Sequence, residues 1–295
     1  MSDASSKRLR IGLPKGSLQE TTQKLFALAG YDVRISSRSY YPDIDDPELE
    51  CILIRPQEMA RYIEQGVIDC GIAGHDWILE TGADVVELAD LKAPWKNYGP
   101  VRWVLAVKNG SEFESIADLQ GKRIAAEAVG MTTAFLKKHG VTANVEFSWG
   151  ATEVKPPVLA DAIVDVSETG SSLRANDLKV IEVVQVSTPR LVACKESWAD
   201  EWKKAKMEKL RMLLMGAVRA ASRVVIAMNV ARKDLDAVVA MLPALNTPTI
   251  STLSDESWVA VTTVIEEHLV RDLVPQLSQL GARGIIESPL NKIID

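Results

Sequence analysis

No run of about 18 uncharged apolar residues occurs anywhere in the 295-residue chain, so no membrane-spanning helix is expected. Positive charge is the scarcer sign: 34 Lys and Arg stand against 40 Asp and Glu, for a net charge of −6 and a pI near 5.3. Affinity for a phosphate backbone needs clustered cations, so no general binding to nucleic acid or a membrane surface is expected, while local basic pockets stay open. Cysteine is sparse. Cys51, Cys70 and Cys194 are odd in number, far apart and embedded in apolar runs, which fits reduced core thiols in a cytoplasm. His75, His139 and His268 are isolated and share no ligand spacing with those cysteines, so zinc is not expected. Internal repeats and low-complexity segments are missing too.

The stretch from Met1 to Arg10 puts no apolar segment ahead of its charges, which points to a cytoplasmic chain without a secretion signal. With 47% hydrophobic residues the chain is an ordinary globular protein, and its length exceeds the size at which single cores stop growing. Two or three domains are therefore expected.

Apolar runs suited to strands alternate with helical stretches. Residues 9–14 predict a strand, and Ser17 is expected to cap a helix that ends at Gly30. Strands follow at 51–55, 67–73, 101–107, 123–126, 144–147, 162–166, 180–184 and 190–194, with helices between, including 132–139 and 156–160. Such alternation implies mostly parallel sheets covered on both faces. Trp149 is expected to pack as a core aromatic. Residues 206–223 predict one long helix, and the remaining chain reads β-α-β-β-α-β, the split βαβ or ferredoxin-like pattern. Nothing in that last part offers nucleophile, base and orienter together, so it reads as a small regulatory or assembly domain.

Three places carry candidate chemistry. Asp161 to Leu173 runs from an apolar strand holding Asp165 into Glu168, Thr169, Gly170, Ser171 and Ser172, where hydroxyls and helix-start amides suit an anion, most naturally a phosphate. From these residues alone an ordinary helix cap fits the same pattern. Lys15, Gly16 and Ser17 form a second strand-to-helix turn able to grip a phosphate through charge and amides, and here too an exposed lysine beside a cap fits. Arg55, Gly74 and Asp76 fall at the C-terminal ends of strands, the edge where open α/β sheets hold ligands.

Taken together, Pro14-Lys-Gly-Ser-Leu18, Ile68-Asp-Cys-Gly-Ile-Ala-Gly-His-Asp76, Asp165-Val-Ser-Glu-Thr-Gly-Ser-Ser-Leu173, Pro248-Thr-Ile-Ser251 and Ser288-Pro-Leu-Asn-Lys-Ile293 resemble the long form of ATP phosphoribosyltransferase, from about residue 9 to the end. The resemblance implies a two-lobed α/β catalytic region like a type II periplasmic binding protein, plus a C-terminal ferredoxin-like (ACT-like) domain. It sets lobe I at 1–100 plus 184–205, lobe II at 101–183 and the regulatory domain at 206–295. The implied reaction joins ATP to phosphoribosyl pyrophosphate, releasing pyrophosphate and forming N1-(5-phosphoribosyl)-ATP, the first step of histidine biosynthesis. Mg²⁺ is the implied cofactor, held mainly by substrate phosphates, and L-histidine the implied feedback inhibitor. Homo-oligomers, dimers assembled into hexamers, are the implied state.

By the same resemblance, Glu168 to Ser172 match the cradle of the 5-phosphate and Asp165 the carboxylate near the ribose hydroxyls. Lys15, Gly16, Ser17, Arg55, Gly74 and Asp76 would serve ATP and pyrophosphate, with Lys15 and Arg55 stabilising the leaving group. Asn229, Thr249 and Ser251 lie where the histidine-binding surface would be. Two positions depart from the family: Ser172 stands where many members have Thr, and Ser17 where many have Arg, which leaves one cation fewer. A solute-binding or sensor protein is the alternative on the same fold. The lack of a signal peptide, and of a helix-turn-helix ahead of Leu9, argues against it. Retention of Lys15, Arg55, Asp165, Thr169 and Gly170 argues against a non-catalytic regulatory paralogue.

Overall fold

The computed structural model describes residues 7–36, 38–243, 245 and 247–294. Part of the stretch read for a leader, residues 1–6, and the final residue of the expected regulatory domain lie outside them. The chain divides into two compact units, Met1–Ala27 with Tyr31–Arg211, and Leu28–Gly30 with Met212–Asp295. The main division falls after Arg211, inside a helix, where the sequence placed it at 206.

The first unit holds two five-stranded sheets. Its opening half runs β1 (Leu9–Pro14), α1 (Gln19–Ala29), the short pair β2 (Val33–Arg34) and β3 (Asp43–Ile44), β4 (Leu49–Ile54), α2 (Pro56–Glu64), β5 (Cys70–Gly74), α3 (His75–Thr81) and β6 (Val86–Asp90). Next come β7 (Val101–Lys108), β8 (Arg123–Ala126), α4 (Val129–Lys138), β9 (Asn144–Phe147), β10 (Ala162–Ser167), α5 (Ser171–Ala175) and β11 (Leu178–Ser187). The unit closes with β12 (Pro189–Ala193), α6 (Lys195–Ala199) and the first half of α7 (Glu201–Ala220), to Arg211.

Strand order is β4-β1-β5-β12-β6 in the first sheet and β11-β7-β10-β8-β9 in the second. β1, β4 and β5 pair in parallel, as do β8, β9 and β10. The antiparallel member of each sheet, β12 or β7, is the strand that has just crossed from the other sheet. Both sheets thus share one order: second, first, third, crossing strand, fourth. This is the two-lobed type II periplasmic-binding-protein arrangement. β11 stays in the second sheet to Ser187, three residues beyond the return expected at Val184.

Parallel strands covered on both faces need near-continuous apolar sequence, and every residue of β5 is buried. Met59, Ile63, Ile68 and Val192 pack into one core of the first lobe. Trp103, Leu105, Ile124, Leu136 and Val164 form one layer of the second lobe, and Val104, Ala125, Ile163 and Leu173 another. Burying one such Leu or Ile contributes about 1.5–3 kcal/mol. All three cysteines are buried and free, and burial pushes the Cys51 thiol up to about 12. They are inert core thiols, as expected.

Two local expectations fail. Residues 156–160 form a turn preceded by a 3-10 segment at Thr152–Val154: the Leu159 and Ala160 amides both donate to the Lys155 carbonyl, at 2.8 and 3.3 Å, so no helical ladder propagates. Trp149 is 94% exposed, its ring edge-on to Phe147 at 4.7 Å, because it follows edge strand β9 and no neighbouring element covers it.

The second unit contains β13 (Arg223–Ala231), α8 (Leu235–Met241), β14 (Thr249–Thr252), β15 (Trp258–Glu266), α9 (Val270–Gln279) and β16 (Arg283–Pro289). Its antiparallel sheet has the order β14-β15-β13-β16, the ferredoxin-like βαββαβ topology. Inward residues alternate along β13 and β15, so Val224, Ile226, Met228, Val259 and Val261 meet Val238, Leu273 and Leu277 of the helices in one core. Among the described residues no helix is long and apolar enough to cross a membrane.

Candidate active site

β1 and β4 end side by side, with Pro14 opposite Ile54, so the next residues, Lys15 and Arg55, leave adjacent strands together. The Lys15 amide still donates to the Ile54 carbonyl at 2.8 Å. Arg55 caps α2 in extended backbone, with Pro56 at the first helical position, where a missing amide costs nothing. Among the described residues neither cation pairs with a carboxylate. Instead the Lys15 ammonium lies 3.8 Å from the ring centroid of Tyr40, a residue the sequence did not single out.

Gly16 and Ser17 make an exposed turn ahead of α1. The expected Ser17 cap is not formed: the helix starts at Gln19, and Ser17 is held through its carbonyl, which accepts from Asn97 Nδ2 at 2.6 Å. The loop carrying Asn97 is itself anchored by buried Tyr98, whose hydroxyl pairs with Thr22 Oγ1 at 2.8 Å. A donor arriving from 80 residues away has no local sequence signature.

Gly74 and Asp76 sit at the start of α3. A Cβ at Gly74 would lie 2.2 Å from Asp76 Oδ1, so only glycine lets that carboxylate fold back over the helix start. Both Asp76 oxygens are occupied: Oδ1 accepts from the Trp77 amide at 2.9 Å and Oδ2 from Trp103 Nε1 at 2.8 Å. The Asp76 amide donates to Ser187 Oγ at 3.0 Å. Asp76, buried, thereby joins the first lobe to both crossing regions of the second, with Trp77 edge-on to Trp103 at 5.9 Å. Its contribution to the site is to fix the aromatic wall.

In the second lobe Asp165 lies on β10, two residues before the strand end. Burial, opposed by a 2.7 Å bond from the Val166 amide and reinforced by the charges of Glu153 and Glu127, pushes its carboxyl up to about 6. Glu168 and Thr169 follow the strand in an exposed loop. Gly170 then turns at φ +72°, a left-handed conformation in which Arg174 Nη1 would stand 2.9 Å from any Cβ. Arg174 fixes the loop by donating to the Thr169 carbonyl at 3.0 Å, and Thr169 Oγ1 donates to Ser171 Oγ at 3.1 Å. Among the described residues the amides of residues 169–172 meet no backbone acceptor, so four donors and the Ser171 and Ser172 hydroxyls stand at one corner. Because α5 has five residues, those donors rather than a long helix dipole supply the positive field.

A contrasting helix start lies nearby. The first amides of α4 are already taken by Glu80 of α3, whose carboxylate accepts from Gly130 at 3.0 Å and Met131 at 2.7 Å. A phosphate therefore has the 169–172 loop open to it and α4 closed.

A cavity of about 220 Å³ is bordered by Ser17, Gly74, Asp76 and Glu168 of the expected set, and by Trp77, Trp103 and Glu127, which the sequence reading missed. Gln57 Nε2 donates to Glu127 Oε1 at 3.1 Å between the lobes at this cavity. Lys15, Arg55, Asp165 and residues 169–172 do not border it directly. Asn229, Thr249 and Ser251 belong to the second unit, where all three are exposed. Asn229 and Ser251 both register with Ala260 from opposite sides, and Thr249 pairs with Thr262, so the three share one sheet face.

Fold and site define a two-lobed α/β protein with a loop of open amides on one lobe and, among the described residues, two cations without a carboxylate partner on the other. The chain matches the family model for ATP phosphoribosyltransferase over residues 55–216 and that for the HisG C-terminal domain over 220–292. It is 56% identical over 286 residues to an ATP phosphoribosyltransferase of Solibacter usitatus, covering 97% of this chain and 99% of that one. With a second such protein, from Chlorobaculum parvum, it shares 54% over 291 residues, 99% of each. A solved chain from the ATP phosphoribosyl transferase (HisG:HisZ) complex of Thermotoga maritima superposes with a TM-score of 0.59 at 26% identity. That match covers 70% of this chain and 98% of that chain. The chain belongs to the ATP phosphoribosyltransferase family, in its long form, and is a phosphoribosyltransferase.

Proposed function

We propose that this enzyme joins ATP to phosphoribosyl pyrophosphate in the cytoplasm, as the first step of histidine biosynthesis. The adenine N1 lone pair forms a bond to the anomeric carbon while the bond to pyrophosphate breaks, and its electron pair leaves with the pyrophosphate. N1 carries no proton, so positioning matters more than a base, and the absence of a histidine dyad among the described cleft residues is no obstacle. The observation that carries this reading is the presence of unspent amides at 169–172 near Asp165 on one lobe and, on the other, two cations, Lys15 and Arg55, that have no carboxylate partner among the described residues. The loop would hold the 5-phosphate, Asp165 the ribose hydroxyls, and the two cations the charge growing on the leaving group. Ser17, Gly16, Gly74 and the Asp76-fixed wall would border ATP.

Mg²⁺ fits this site as a substrate-borne ion. It commonly binds through one or two carboxylates plus substrate phosphates, and no cluster of three or more metal-ligating side chains exists among the described residues. Asp165 and Glu127 are the carboxylates that would help hold it, and its chemistry is to neutralise charge on the pyrophosphate. L-Histidine would inhibit from the second unit through Asn229, Thr249 and Ser251, and identical chains would assemble as dimers and hexamers.

An absorbance assay for the adduct, with ATP, phosphoribosyl pyrophosphate and Mg²⁺ and with each omitted, tests the reaction. Adduct should require all three, and Arg55→Ala should lower kcat/KM by on the order of 100-fold. No adduct from the complete mixture would defeat the reading, and an unchanged Arg55→Ala would remove that residue's role. Calorimetric titration with millimolar L-histidine tests the feedback, and absence of heat would remove it.

A further inference from the structure

Lys15 and Arg55 emerge from neighbouring strands with no carboxylate partner among the described residues, yet Lys15 is not left to wander. Its ammonium rests 3.8 Å from the centre of the Tyr40 ring. The Tyr40 carbonyl accepts from the Leu53 amide of β4 at 2.7 Å, so the ring is fastened to the strand from which Arg55 departs. The ring is open to solvent: Tyr40 is 56% exposed. The adjacent Lys15 ammonium, with a further contribution from the charge of Arg55, holds the phenol below its ordinary range, so both cations act on this one group.

A lysine stem has four rotatable carbons, and something must orient its ammonium before a ligand arrives. A carboxylate would orient it by neutralising it, and would then compete with any anionic ligand. An aromatic face attracts the ammonium through its quadrupole and leaves the full positive charge and its outward donors available.

We propose that Tyr40 is a positioning residue for Lys15, its ring face pre-orienting the ammonium toward the pyrophosphate leaving group. The inference rests on the transferase reading for its kinetic consequence, while the direct binding of pyrophosphate tests it independently.

The experiment uses the full chain as wild type, Tyr40→Phe, Tyr40→Leu, Lys15→Ala and Lys15→Ala/Tyr40→Leu. Inorganic pyrophosphate binding is followed by calorimetry, and kcat and KM by the adduct assay. Because Tyr40 is exposed, thermal melting of all variants should match wild type. Tyr40→Leu should weaken pyrophosphate binding and lower kcat by roughly 3- to 30-fold, with KM for ATP little changed. Tyr40→Phe keeps the face and should stay within about threefold of wild type. In the Lys15→Ala background, Tyr40→Leu should add no further loss, since nothing remains to orient. Equal binding of pyrophosphate by wild type and Tyr40→Leu, or an undiminished Tyr40→Leu effect without Lys15, would overturn the proposal. An inactive wild type that still binds pyrophosphate in a Tyr40-dependent way would sink the reaction but retain the positioning role.

Discussion

Two aspartates of the first unit show how environment turns one residue type to opposite ends. Asp69 is fully buried, and burial works against its charge, yet bonds from Lys203 Nζ at 2.7 Å, the Arg10 amide at 2.8 Å and Ser197 Oγ at 2.7 Å outweigh it and hold the carboxyl below its usual range. A depressed folded pKa means stability that is present above the unfolded value and lost as pH falls through the folded one. Asp69→Ala, which strands Lys203, should cost about 3–5 kcal/mol in a denaturant titration at pH 7. Asp165 is the reverse case. Its carboxyl is raised to about 6 by burial and by Glu153 and Glu127, so the folded state favours the protonated form. The stability this contributes is complete below the unfolded value, near 3.9, and is lost as pH climbs to about 6. Asp165→Asn should therefore raise the melting temperature at pH 8, leave it nearly unchanged at pH 4, and still reduce turnover. A lower melting temperature at pH 8 would show that the carboxylate is held in place by favourable contacts instead.

At the scale of elements, the seven-residue helix α3 carries the link between lobes. Asp76 and Glu80 lie one turn apart on it, and one reaches Trp103 of β7 while the other caps α4. Glu80→Ala should free the Gly130 and Met131 amides, cost about 1 kcal/mol as a lost cap, and speed hydrogen exchange at those two positions. Unchanged exchange there would mean the cap is not populated in solution. These long-range roles were illegible in sequence. The strands of both sheets were legible because buried parallel strands must be apolar, as at 9–14 and 162–166. The 168–172 loop was legible because hydroxyls and a glycine cluster right after such a strand. Trp103, Glu80, Glu127 and Tyr40 gave no local signal, since each acquires its role from a partner at least 25 residues away. Ser17 was misassigned as a cap for the same reason, because Asn97 captures its carbonyl. Residues 156–160 suggest a helix in sequence, but the Leu159 and Ala160 amides close on the one carbonyl of Lys155 and a turn forms instead.

At the scale of the whole molecule, the chain divides into two compact units, each with buried clusters made of its own residues. One buried cluster of the second unit runs from Val224 to Ala282 and three clusters of the first unit fall between Met59 and Cys194, with Leu9, Ile11, Leu25 and Phe26 of the first unit and Leu214 and Ala217 of the second buried as well. Cooperative unfolding follows shared burial, and two separately packed units are expected to melt in two calorimetric transitions. A ligand that binds only the native form of one unit stabilises that unit by mass action, about 2.7 kcal/mol at 100 times its Kd. Phosphoribosyl pyrophosphate with Mg²⁺ should therefore shift one transition, and L-histidine should shift the other by a similar amount. Substituting Asn229 and Ser251 together by Ala should abolish the histidine shift and leave the substrate shift intact, because both are exposed on the sheet face and neither supports the core. One merged transition moved equally by both ligands would show that the two units unfold as a single cooperative body. Feedback would then reach the transferase site through shared folding energy, and the double substitution would weaken the response to substrate as well.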